Sequence, residues 1–204
     1  DAADNFFKET KYIVDSNVTL TDKKVKFLWR EKEYDLELKE TFNTIVINKA
    51  LIATLSAPER AALGFVVTFI GSDCNWDGDA REDLSNLKCK TLAALGLGYQ
   101  CSDLHLGFLR QWFREDERSL KQLESCPIIP YTATRQNTFN FINLTVRGNN
   151  ISIEFAANGI NMSIGEHWSW TETDDFLFDQ DNIKLIAKKE SNIKQGQFGI
   201  ETFQ

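Results

Sequence analysis

The residues best equipped for chemistry sit between Asp73 and Asp83. The segment reads Asp73-Cys74-Asn75-Trp76-Asp77-Gly78-Asp79-Ala80-Arg81-Glu82-Asp83 and carries five acids and one base. Clustered carboxylates repel one another unless water, a cation or a basic partner neutralises them. Calcium is a hard cation that takes roughly six to eight oxygens at about 2.3–2.6 Å. Alternate oxygen-bearing side chains can converge on such an ion when the backbone curls, and a glycine permits the sharp turn. Asp73, Asn75 and Asp77 have that alternation, and Gly78 follows them. Asp79 can lend its backbone carbonyl.

The front half of this segment resembles an EF-hand-type calcium loop, D-x-[DN]-x-[DN]-G. The resemblance covers six residues, Asp73 to Gly78. It implies calcium as the cofactor and Asp73, Asn75, Asp77 and Asp79 as ligands. The back half departs from the pattern. Leu84 stands where the bidentate Glu that closes the shell is expected, so Glu82 or Asp83 would have to close a shorter loop. Two other readings stay open. The acids can cap backbone amides in a plain turn, or they can face a basic partner.

Two further groups could act on a substrate. Cys101 and His105 are four residues apart and would meet on a helix, as a thiolate–imidazole nucleophile does. The competing reading places Cys101 in a disulfide and packs His105 at a core edge. Around the second histidine runs Gly165-Glu166-His167-Trp168-Ser169-Trp170. On a strand, Glu166, Trp168 and Trp170 share one face and His167 and Ser169 the other. Paired Trp beside a carboxylate can line a sugar-binding surface. A glycosidase would need a second carboxylate, with Asp174 or Asp175 as candidates. The bland alternative is two Trp covering a sheet core. No G-x-S-x-G, P-loop, H-E-x-x-H or dinucleotide fingerprint occurs.

Four cysteines, Cys74, Cys89, Cys101 and Cys126, contain no C-x-x-C pair. Zinc knuckles are therefore not expected. The even count points to disulfides and a periplasmic or extracellular setting. Cys74–Cys89 and Cys101–Cys126 are the expected pairs, each stapling a loop to a helix. The start Asp1-Ala2-Ala3-Asp4 fits a processed chain. No run is long and apolar enough for a transmembrane helix. Sequons at Asn17, Asn143, Asn150 and Asn161 are read as incidental, because the last three fall in strand-rich sequence.

The 204 residues carry a formal charge of −7, and two segments account for more than all of it. Residues 73–83 carry a net −4 and residues 172–181 a net −5, on a body of +2. Fifteen Phe and five Trp exclude a disordered acidic polymer. The acidic balance argues against duplex nucleic acid.

These groups need elements to position them. Val25 to Trp29 and Tyr34 to Leu38 alternate as strands, with Arg30 to Glu33 read as the hairpin connection. Thr44 to Ile47 extends the sheet, and Asn48 to Leu55 reads as a short helix. Ser56-Ala57-Pro58-Glu59 is a capping box that opens a helix through about Leu63. The β-branched run Phe65 to Ile70 tips toward strand, with continued helix as the alternative. Helices are expected over 84–97, 103–114 and 116–125, with Leu104, Phe108, Leu109, Trp112 and Phe113 forming an apolar stripe. From Thr138 the pattern turns to strands, and Asn158-Gly159 gives the strongest hairpin signal.

The expected architecture is a single α+β domain spanning 1–204. Strands fall at about 17–47, a helical middle at about 48–126 and a β-meander at about 138–190. The sheet is mostly antiparallel, built from the N-terminal hairpin and the C-terminal meander, with the helical segment packed against it. The leading functional expectation is a non-enzymatic binding protein, of inhibitor or immunity type, presenting an acidic surface to a basic protein. The alternatives are an envelope carbohydrate- or peptide-directed hydrolase and a calcium-stabilised structural module.

Overall fold

The structure is a computed structural model, and it describes residues 11–13, 23–70, 87–126, 135–161 and 163–197. The fold is α+β: a mostly antiparallel eight-stranded sheet with helices on one face. The strands are β1 (Lys11–Ile13), β2 (Val25–Asp35), β3 (Glu40–Asn48), β4 (Arg135–Arg147), β5 (Asn150–Asn161), β6 (Glu166–Phe178), β7 (Ile183–Glu190) and β8 (Lys194–Gln197). Their order is β1-β3-β2-β4-β5-β6-β7, with β8 also on β6. β7 and β8 lie end to end along one edge of β6, on 172–178 and 166–169 respectively. Among the described residues only β1 runs parallel to its neighbour.

The helices enter between β3 and β4: α1 (Lys49–Thr54), α2 (Ala57–Phe69), α3 (Leu87–Ala94), α4 (Asp103–Trp112) and α5 (Glu117–Glu124). They cover the sheet face that carries Leu28, Ile142, Leu144, Ile151, Ile153, Phe155 and Phe176. Phe65 of α2 ties the layers together. Its ring centroid lies 4.7 Å from Phe113 and 6.2 Å from Phe176. Each such ring, fully buried, contributes about 1.5–3 kcal/mol of transfer free energy. No helix among the described residues is long and apolar enough to cross a membrane.

Three local expectations need correction. Phe65 to Phe69 continues α2 rather than forming a strand. The capping box forms, with Ser56 N–H donating to Glu59 Oε2 at 2.7 Å. Residues 61–68 are buried on every side, so the helix shows no polar face to reveal its period. Gly64 lets Leu97 approach closely there, because a Cβ would stand 2.5 Å from Leu97 Cδ1.

The N-terminal turn is not at Arg30–Glu33, where β2 runs straight through. It falls at Leu36–Lys39. Asp35 Oδ1 accepts from the N–H groups of Glu37 and Leu38, and Lys39 takes φ 53°. Asn158-Gly159 is likewise interior to β5, and the described turn falls at 163–165 instead. Gly159 serves a close approach, since a Cβ there would lie 2.3 Å from the Trp168 ring and 2.3 Å from Asn137 Oδ1.

Candidate functional site

The calcium-loop residues Asp73, Asn75, Asp77, Asp79, Glu82 and Asp83 lie outside the described residues, as does Cys74. Among the described residues no group of three or more His, Cys, Asp or Glu could hold a metal ion. Cys101 and Cys126 form a disulfide, as the spacing suggested. Closing a loop of this length removes about 3–4 kcal/mol of unfolded-state entropy. Cys89 is also disulfide-bonded.

The disulfide removes Cys101 as a nucleophile, and His105 is engaged elsewhere. Its Nδ1 accepts from the Cys101 N–H at 2.9 Å, so the ring proton sits on Nε2. Nε2 then donates to Thr68 Oγ1 at 2.7 Å, and that hydroxyl donates to Gly64 O at 2.7 Å. His105 is fully buried. Burial, and then the Lys88 charge, lower its pKa to about 4. It is a neutral strut joining α2 to the start of α4.

Glu166, Trp168 and Trp170 share a face of β6, as the alternation implied. Trp168 is 8% exposed and Trp170 packs on the core, so they cover the sheet end rather than offer a platform. Glu166 and Asp174 are eight residues apart on one strand. That is about 26 Å at roughly 3.3 Å per residue, too far for a catalytic carboxyl pair. Asp175 points to the opposite face, where its Oδ1 accepts from Ser152 Oγ and its Oδ2 lies 3.8 Å from Lys189 Nζ.

What the sheet does bring together is Glu172, Asp174 and Glu190. In β5–β6 register, Phe155 faces Glu172 and Ile153 faces Asp174, so both carboxyls point into the helix-covered face. Across the β6–β7 register, Glu190 faces Glu172 and Lys188 faces Asp174. Side-chain hydrogen bonds link Glu190 to Glu172 and Glu172 to Asp174.

Burial, then the bond to Asp174 and its charge, push Glu172 up to about 7. Burial likewise raises Asp174, and the bond to Glu172 raises Glu190. Asp174 is 3% exposed, and its Oδ1 has no hydrogen-bond partner among the described residues. An unsatisfied buried acceptor costs about 1–3 kcal/mol, more when charged.

Asp174 and Glu172 line a cavity of about 30 Å³ with Phe65, Val66, Phe69, Ile70, Phe155, Gln122 and Lys188. Gln122 and Lys188 also line a larger cleft of about 520 Å³ between α5 and β7. Asp116 fixes that cleft: its side chain caps α5 and accepts from Leu185 N–H at 2.9 Å.

Glu190, Lys188 and Gln122 escaped the sequence reading, and Glu172 entered it only as charge. A signal for Glu172 existed. Trp168, Trp170, Phe176 and Phe178 fall on one parity, and Glu172 and Asp174 share it. No protein-family model, curated protein or solved structure matches this chain.

Proposed function

We propose that this chain is a non-enzymatic binding protein of an oxidising compartment, periplasmic or extracellular, that receives a basic protein partner at the α5–β7 cleft. The observation that carries the reading is the carboxyl row at the end of that cleft, with one buried oxygen left unsatisfied. The disulfides support the compartment. The net charge of −7 supports electrostatic steering of a basic partner. An inhibitor or immunity-type role is the form of binding that suits these features. The raised Glu172 carboxyl would also suit a general acid.

The test is fluorescence anisotropy of labelled decalysine and decaglutamate peptides at low and high salt. Decalysine is expected to bind in a salt-sensitive manner. The double substitution Glu172→Gln with Glu190→Gln should weaken it at least three-fold, while Glu154→Gln on the opposite sheet face should not. Equal binding of both peptides, or equal effects of the two sets of substitutions, would remove the reading.

A further inference from the structure

A covalent clasp closes one end of the helical layer. Cys101 stands just before Ser102, the N-cap of α4, and Cys126 just after Ser125, the C-cap of α5. Their disulfide therefore joins the two open ends of the α4–α5 helical hairpin. Both cysteines are half-buried, whereas disulfide-bonded Cys89 is 2% exposed. A thiol in solution meets the Cys101–Cys126 bond first.

The two sulfurs differ in electrostatic setting. The amino end of α4 carries the positive end of its helix dipole, which stabilises a thiolate departing from Cys101. The carboxyl end of α5 carries the negative end, which disfavours a thiolate on Cys126. Cys101 also holds its backbone at φ 63°, a left-handed conformation that costs free energy in any residue but glycine.

The two helices also differ in what holds them without the bond. α4 stays fastened. The Cys101 N–H donates to His105 Nδ1, His105 Nε2 donates to Thr68 of α2, and Leu109 is fully buried. α5 is fastened at its amino end, where Asp116 accepts from the Leu185 N–H and Arg114 pairs with Asp181 at 2.8 Å. At its carboxyl end Leu123 packs inward, but Glu124 and Ser125 are exposed. The hydrogen bonds of Ser125 and Cys126 there return to α5 itself. A helix of eight residues has little stability of its own.

We propose that the Cys101–Cys126 disulfide is a thiol-exchange site for a dithiol reductant, and that opening it frees the carboxyl end of α5 and widens the α5–β7 cleft. The reductant's thiolate bonds to Cys126 Sγ. The S–S bond breaks, and its electron pair leaves on Cys101 Sγ. The reductant's second thiolate then attacks its own sulfur in the mixed disulfide, and Cys126 Sγ leaves with that electron pair. Two electrons pass to the protein, the dithiol becomes a disulfide, and its two protons end on the two cysteines. Gln122, one turn before Cys126, and Ser119 line the cleft from α5, so they move with that end. Asp116 and Arg114 form the hinge. The switch is independent of what the cleft binds.

The test uses the whole chain in three measurements. First, graded dithiothreitol under native conditions is followed by maleimide labelling and peptide mass spectrometry. Cys101 and Cys126 should be labelled about ten-fold faster than Cys89. Second, a short pulse of 2-mercaptoethanol, quenched with acid, should leave about three-fold more mixed disulfide on Cys126 than on Cys101. Third, hydrogen exchange over Leu120 to Glu124 should quicken about five-fold or more on reduction and in the double substitution Cys101→Ser with Cys126→Ser, with residues 61–68 of α2 unchanged. Labelling of Cys89 at the same rate would overturn the exchange site. An equal split of the mixed disulfide, or an excess on Cys101, would overturn the direction of attack. Unchanged exchange in α5, or an equal rise in α2, would overturn the switch and leave a purely structural bond.

Discussion

Replacing Glu172 with Gln should make the protein more stable at alkaline pH and flatten its pH dependence. The Glu172 carboxyl titrates at about 7 in the fold against 4.5 in its ordinary state. Between these values the folded chain holds a proton that the unfolded chain has released. Stability from this group is therefore complete below about 4.5 and is lost as pH rises through about 7. Between pH 5 and pH 8 the loss comes to about 2–3 kcal/mol, at about 1.4 kcal/mol per tenfold change. Gln keeps the shape. Its amide can donate to Asp174 and its carbonyl can accept from Glu190, with no charge to bury.

The assay is urea unfolding of wild type and Glu172→Gln at both pH values. Subtracting one pair from the other cancels titrating groups remote from the row. Asp174, Glu190 and Lys188 are not remote, so the difference reports the row as a unit. The wild type should lose about 2–3 kcal/mol more than the variant on going from pH 5 to pH 8. A difference within about 0.5 kcal/mol, the usual additivity error, would refute the buried, proton-holding row.

Three further outcomes are expected. His105 ring resonances should stay unchanged from pH 8 down to about 5, because the folded ring protonates only near 4; titration at its ordinary value would contradict the buried neutral strut. Its lowered pKa also means that stability from this group is held above about 6.5 and lost as pH falls through about 4. Gly159→Ala should cost about 1–3 kcal/mol in urea unfolding, as overpacking does, because the new methyl would meet the Trp168 ring at 2.3 Å; an unchanged midpoint would mean that Trp168 does not lie across that glycine. The calcium expectation for 73–83 requires millimolar calcium to raise the melting temperature and Asp77→Ala to abolish the rise; a flat response in the wild type removes it.

The α+β class and the order strands, helices, strands were legible because binary patterns carry them. Ile151, Ile153 and Phe155 alternate, and Leu104, Phe108 and Phe113 recur at helical spacing. What failed was local punctuation. Asn158-Gly159 has hairpin chemistry, yet the glycine is needed for the approach of Trp168, which lies outside any local window. Phe65 to Phe69 has β-branched neighbours, but a helix buried on all sides has no polar face to expose its period. The site was legible only in part, for a different reason. Glu172, Asp174, Asp175, Asp179 and Asp181 read as one acidic surface because composition ignores strand parity. The fold divides them. Asp175 meets Lys189 and Ser152 on the open face. Asp179 shapes the β6–β7 turn by accepting from Asp181 and Asn182, and Asp181 pairs with Arg114 at 2.8 Å. Parity alone would have sent Glu172 and Asp174 inward.

That division bears on why the inward carboxyls are there. Apolar side chains at 172 and 174 would extend the interior stripe that already holds Trp168, Trp170, Phe176 and Phe178. Replacing buried ionic groups by well-packed apolar ones is often neutral or stabilising, by roughly 1–4 kcal/mol. On that principle apolar residues could supply the packing here, and the buried Asp174 Oδ1 adds a cost of about 1–3 kcal/mol. Asp175, Asp179 and Asp181 each hold a turn or an ion pair, so their charge has a structural use. Asp174 Oδ1 has none among the described residues. Departures from local consistency of this kind concentrate where a protein meets a ligand. The cost falls at the end of the cleft, beside Lys188. On that ground the carboxyl row, more than the exposed acids around it, is where binding should be sought.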